Sequence, residues 1–252
     1  MSEPKTIIVV DDEVRICESF QRALSKQGYR VDSCTSAREA LDRLKAGDVD
    51  LVVSDLMMPE RTGADLLRDM REEGLTTPLV MITGYASIDN ALETMRLGAV
   101  DYLPKPFTVA ELKAVVARGL CASEVEPSQL PAPPPGTYEI PSHSWVRRAE
   151  GENVVVGVHP FVLKCCGRVT EIELPMEEDE LVQGGAFGKL LADDSRVPIR
   201  LWCPVSGDVK ATNSRAVETP SIVADDPYGA GWLLKMKPAK LDADLAALVA
   251  SA

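Results

Sequence analysis

The sequence predicts two domains of different class, an α/β doubly wound domain on a parallel five-stranded sheet followed by a mainly-β domain. Three observations carry that expectation. Residues 1–121 alternate short apolar runs with amphipathic segments. Residues 122–137, "ASEVEPSQLPAPPPGT", are Pro-rich and nearly devoid of large apolar side chains. Residues 138–252 consist of short β-like runs broken by Gly, Pro and Asp.

In the first block "TIIVV", "VDLVVS", "PLVMIT" and "AVDYL" are continuous apolar runs, with "YRVDSC" a weaker one. Continuous runs suit strands covered on both faces, hence a parallel sheet. Between them lie the helical patterns "EVRICESFQRALSKQG", "AREALDRLKAG", "ADLLRDMREEG", "ASIDNALETMRLG" and "VAELKAVVARGL". Four of these five end at Gly, the usual helix stop. In the second block the strand-like runs are "VVVGV", "RVTEIEL", "IRLWC" and "GWLLKMK". Helix is expected there only at "PFVLKCC" and in the tail "LDADLAALVA".

The formal net charge is −12 and the isoelectric point about 4.7. With no basic block to displace counterions from phosphates, nucleic acid and anionic membranes are excluded as expected partners. The opening "MSEPKTIIVVDDE" is no export signal, and a cytoplasmic protein is expected. The six cysteines form no C-x-x-C and no zinc spacing, so they are expected to be reduced, buried, small apolar residues.

The chemistry gathers at the carboxyl ends of the first-block strands, where doubly wound sheets open their crevice. Asp11 and Asp12 end the first strand, Asp55 the third and Thr83 the fourth, and Lys105 follows the fifth. Three carboxylates at one place repel unless a hard divalent cation joins them, and Mg2+ takes carboxylates together with phosphate oxygens. A hydroxyl and an ammonium at the rim could then hold a phosphoryl group.

The stretches "IIVVDDE", "VVSDLMMPERTG", "MITGYAS" and "GAVDYLPKPF" make this block resemble the receiver domain of two-component response regulators, a flavodoxin-like fold. The resemblance implies that Asp55 is the phosphoacceptor. It implies that Asp11, Asp12 and Asp55 hold Mg2+ with the main-chain carbonyl of Met57. It implies that Thr83 and Lys105 bind the phosphoryl group, that Tyr102 is the aromatic switch, and that a sensor histidine kinase is the partner. A homodimer through the face of the fourth helix, fifth strand and fifth helix is a further expectation. Met57 and Tyr85 would border the path of an attacking water, so slow loss of phosphate is expected.

In the second block "HSWVRRAEGENVVVGVHPF", "VTEIELP", "CPVSGDV" and "DDPYGAGWLLKMKP" resemble the glycine cleavage system H protein, a lipoyl carrier with a barrel-sandwich hybrid fold. That family carries lipoate on a hairpin-tip lysine. Counted back from "PVSG" the position falls on Arg196; counted forward from Phe187-Gly188 it falls on Asp194. Neither register gives Lys, and no lysine stands between Lys189 and Lys210. No lipoate is therefore expected. The expected function is a response regulator, not an enzyme, whose H-like domain is an interaction output for an unidentified protein. The alternatives are an accessory of lipoate or glycine cleavage metabolism, and a phosphate sink with an inert output.

Overall fold

The computed structural model describes residues 3–84, 88–193 and 195–251; the side chains of residues 88–91, 127, 195 and 196 are outside the description. The chain divides into two compact units, Met1–Ser87 with Leu97–Glu124, and Ile88–Arg96 with Val125–Ala252.

The first 124 residues follow the predicted alternation. The elements are β1 (Thr6–Val10), α1 (Val14–Ser25), β2 (Arg30–Cys34), α2 (Ala37–Lys45), β3 (Leu51–Asp55), α3 (Gly63–Glu72), β4 (Leu79–Thr83), α4 (Ile88–Arg96), β5 (Asp101–Pro104) and α5 (Val109–Ala122). The sheet order is β2-β1-β3-β4-β5 and every pairing is parallel. The order reverses between β1 and β3, which places the crevice beyond Val10 and Asp55. The runs are continuous because both faces are covered: Ile7, Val9, Leu51, Val53, Val80 and Ile82 meet α1 and α5, while Ile8, Val10 and Val52 on the other face are equally inaccessible. β2 reads weakly because it is an edge strand, largely open to solvent. Reciprocal capping boxes start α3 (Thr62 with Asp65) and α5 (Thr108 with Glu111), and these caps satisfy first-turn N–H groups.

The Pro-rich stretch is shorter than its expected bounds. Ala122 completes the last turn of α5, residues 127–129 form one 3-10 turn, and Thr137 already pairs with Arg147.

The second unit contains β6 (Thr137–Ile140), β7 (Ser144–Arg148), β8 (Val154–Val158), α6 (Pro160–Cys166), β9 (Val169–Glu173), β10 (Glu180–Leu181), β11 (Ala186–Ala192), β12 (Ser195–Trp202), β13 (Gly207–Thr212), α7 (Ser214–Glu218), α8 (Ile222–Asp225), β14 (Leu234–Pro238), α9 (Leu241–Ala246) and β15 (Val249–Ala250). A seven-stranded sheet runs β10-β13-β14-β8-β7-β6-β15, and a three-stranded one β12-β11-β9. The pairings are antiparallel. The core centres on Trp145, fully buried, with the Tyr228 ring 5.4 Å away. Gly157 sits opposite Trp145 on β8, where a Cβ would come within 2.4 Å of the indole, so "VVVGV" needs its glycine.

Three details depart from expectation. α7 and α8 were not predicted, being single turns too short for a 3.6-residue period to register. The tail helix stops at Ala246, and Val249–Ala250 pairs with β6 instead. Cys17, Cys34, Cys166 and Cys203 are buried thiols as expected, but Cys121 and Cys165 are each oxidised to a disulfide, which no spacing in the sequence signals. Among the described residues no helix is long and apolar enough to cross a membrane.

Candidate functional site

β1 and β3 are adjacent and end level with one another, so the residues closing them face a common crevice. Asp11 and Asp55 are 2% and 7% exposed there. Lys105, following β5, reaches across to both: its Nζ donates to Asp55 Oδ1 at 2.6 Å and to Asp11 Oδ2 at 3.3 Å. The other carboxylate oxygens are held by main chain. Glu13 N–H donates to Asp11 Oδ1 at 2.9 Å, and Met57 N–H to Asp55 Oδ2 at 2.8 Å.

Burial raises the pKa of Asp11, and the charge of Asp55 adds to the rise against the pull of the Glu13 amide and Lys105. Burial also works against the charge of Lys105, but Asp55 and Asp11 outweigh it and hold the ammonium pKa above the usual lysine value. The site is thus an anionic pair sharing one cation, in surroundings that strengthen each charge's effect.

Thr83 is fully buried at the end of β4, and its carbonyl accepts the Lys105 N–H at 2.7 Å, so the hydroxyl-bearing residue and the lysine are anchored to each other. Tyr102, one strand over, is 4% exposed, and burial pushes its pKa up to about 12. Asp12 is exposed. Among the described residues no three acidic, His or Cys side chains come together at metal-binding spacing, so the expected three-carboxylate cluster is not drawn up. The donor chemistry nevertheless suits Mg2+: two buried carboxylates already converge on one cation, and Asp12 adjoins Asp11 in sequence. Met57 is half exposed beside Asp55; Tyr85 lies outside the described residues.

Gly63 is a site residue that sequence reasoning passed over, although it stands inside "PERTG". A Cβ there would lie 2.3 Å from the Asp55 carbonyl oxygen and 2.8 Å from Met81 Sδ. Only the absence of a side chain lets α3 begin against the acceptor strand. Gly63→Ala is expected to cost about 1–3 kcal/mol, the usual cost of overpacking, and to lower the midpoint of thermal unfolding of the first unit. An unchanged midpoint would show that the strand end yields freely.

In the second unit β11 and β12 form the hairpin that carries the tip. Asp194 and the Arg196 side chain, the two candidate positions for a lipoyl lysine, lie outside the described residues. Asp193 is exposed in the turn. Lys189 is within β11, opposite Arg200 and 3.1 Å from Glu173. Lys210 is on β13, 3.1 Å from Glu178. Neither flanking lysine occupies the tip. Pro198 falls on an edge strand, where the pairing register shifts between Leu190 and Ala192, so its missing N–H is tolerated. His159 caps α6, its Nδ1 accepting the Phe161 N–H.

Residues 7–117 match the family model of the response regulator receiver domain, and residues 137–252 that of the glycine cleavage H-protein. A glycine cleavage system H protein from Magnetococcus marinus is 40% identical over 117 residues, 45% of this chain and 81% of that protein. The chain carries a response regulator receiver domain and belongs, through its second unit, to the glycine cleavage H-protein family. Response regulator MprA from Mycolicibacterium vanbaalenii is 40% identical to the receiver part over 111 residues, covering 44% of this chain and 48% of MprA. The chain therefore spans about half the length of that relative. Among solved structures, a receiver domain protein from Clostridium thermocellum is 29% identical with a TM-score of 0.45, covering 48% of this chain and 97% of that one. An H protein from Mycobacterium marinum is 27% identical with a TM-score of 0.39, covering 42% and 86%.

Proposed function

We propose that this protein is a two-component regulator, accepting a phosphoryl group on Asp55 from a histidine kinase and signalling through its H-like domain. The observation that carries the reading is the contact of Lys105 with both buried carboxylates at the mouth of the sheet. An Asp55 oxygen attacks phosphorus, the phosphorus–nitrogen bond of a phosphohistidine breaks, and the electron pair leaves with the imidazole nitrogen, which takes up a proton. Phosphoryl transfer of this kind is mostly positioning and charge neutralisation. Mg2+, held by Asp11, Asp12, Asp55 and the Met57 carbonyl, would supply further neutralisation of the phosphoryl oxygens. Lys105 turns from Asp11 toward the transferred group, and the Thr83 hydroxyl donates to it. Tyr102, packed on the neighbouring strand, registers the movement of Thr83 and passes it to the surface of the fourth helix and fifth strand. Incubated with acetyl phosphate and Mg2+, the protein should gain one phosphate, on the peptide that contains Asp55. Phosphate on any other peptide, or none, would refute the acceptor.

Met57 sets the lifetime of that phosphate in this reading. Its side chain is bulky and apolar beside Asp55 and cannot orient a water for in-line attack. Met57→Asn is expected to speed loss of phosphate several-fold in a decay measurement. A variant that decays no faster than the natural protein would remove Met57 from the account.

The H-like domain lacks a lysine at either candidate tip position, so we read it as a binding module rather than a carrier. The similarity to an H protein over 81% of that protein favours a second reading, in which the module docks to glycine cleavage or lipoate enzymes. Pull-downs with the whole protein, phosphorylated or not, separate the readings by what is captured.

A further inference from the structure

We infer that Ser54 and Cys17 are positioning residues that hold the two buried aspartates in their facing orientation, one donor to each. The inference rests on the reading of Asp55 as phosphoacceptor for its meaning, though not for its geometry.

The Ser54 side chain is buried in the strand that ends at Asp55, with 0% of the residue exposed. A hydroxyl in an apolar strand must find a partner to offset its desolvation. Ser54 Oγ donates to the main-chain carbonyl of Asp55 at 2.9 Å. The same peptide is confined from the other side by Gly63, whose own N–H donates to the Leu56 carbonyl at 2.9 Å. Cys17 stands in the same relation to Asp11. It is 2% exposed on the inner face of α1, and its thiol donates to the Asp11 carbonyl at 3.3 Å, with the Cys34 carbonyl more distant at 3.9 Å.

A carbonyl fixed in this way fixes the peptide plane next to the aspartate, and with it the direction in which the side chain leaves the backbone. Each carboxylate is then pinned from its far end by an amide, Met57 N–H for Asp55 and Glu13 N–H for Asp11. Donor, carbonyl, side chain and amide form a closed local loop in each case. Two such loops, on adjacent strands, leave one oxygen of each aspartate aimed at Lys105. Supporting groups of this kind keep a charged site preorganised, so little reorganisation is left for the reaction.

The test is amide hydrogen exchange on the full chain, which needs neither phosphate nor Mg2+. Ser54→Ala should increase exchange at the Met57 amide and leave Glu13 unchanged. Cys17→Ala should do the reverse, and Cys17→Ser, which keeps a donor, should restore protection of Glu13. Acetyl phosphate labelling should fall about threefold to tenfold in the two Ala variants, the scale of one lost hydrogen bond. Cys17→Ser should label as the natural protein does. Unchanged protection of both amides in the Ala variants would overturn the inference. So would loss of both amides together in either variant, since that is general loosening rather than positioning. If the natural protein is not labelled at Asp55 at all, the phosphoacceptor reading fails, while the exchange pattern still decides whether the two clamps exist.

Discussion

Asp55→Asn is expected to abolish labelling by acetyl phosphate while leaving the fold of the first unit in place. The amide side chain has nearly the same shape, and its oxygen can still accept the Met57 N–H that now binds Oδ2. What it lacks is the anionic nucleophile. Lys105 keeps Asp11 as a partner, so its ammonium is not stranded. A variant with both Asp11 and Asp12 changed to Asn should fail for a different reason, because it removes two oxygen anions from the cation site but leaves the acceptor intact. Raising Mg2+ should then recover part of the labelling in the Asp11/Asp12 variant and none in Asp55→Asn. Undiminished labelling of Asp55→Asn would mean that another residue is the acceptor.

The legible part of this protein is the part with a repeated signal. The four continuous apolar runs predicted the sheet because strands covered on both faces leave little room for polar positions, and "IIVVDDE" and "VVSDLMMP" placed Asp11 and Asp55 at its mouth. Contacts made once, by one small residue, were not legible. Nothing in "VVSDL" marks Ser54 as a donor to the next carbonyl, and nothing in "EVRICESF" marks Cys17 as more than an apolar helix residue. The glycine of "PERTG" belongs to the same class, since its role is visible only once α3 is laid against β3. Adjacency in sequence did not reveal how differently Asp11 and Asp12 are placed: successive residues leave the backbone in different directions, and Asp12 is exposed where Asp11 is buried. In the second unit the register of the hairpin tip was not legible, because the anchors on either side of the tip point to different residues.

That ambiguity of register gives the second large prediction its form. Incubated with lipoic acid, ATP and a lipoate ligase, the natural protein should keep its unmodified mass. The amide bond to lipoate requires a primary amine, and the Arg196 guanidinium and Asp194 carboxylate cannot supply one. Lys189 and Lys210 do have amines, but they lie within β11 and β13 rather than at a turn, and each is paired to an acid on a neighbouring segment. Pairs as exposed as these are weak, so the barrier to modification is their position on a paired strand, not the ion pair. Arg196→Lys and Asp194→Lys, made separately, put an amine at each of the two registers. If the H-like scaffold is still recognised, one of the two should gain a single lipoyl group, and which one does so reports the register of the hairpin. Gain by neither would mean that the ligase no longer recognises the domain, which favours an output with partners of its own. Modification of the natural chain would overturn the reading of the second unit as a binding module without a carrier arm.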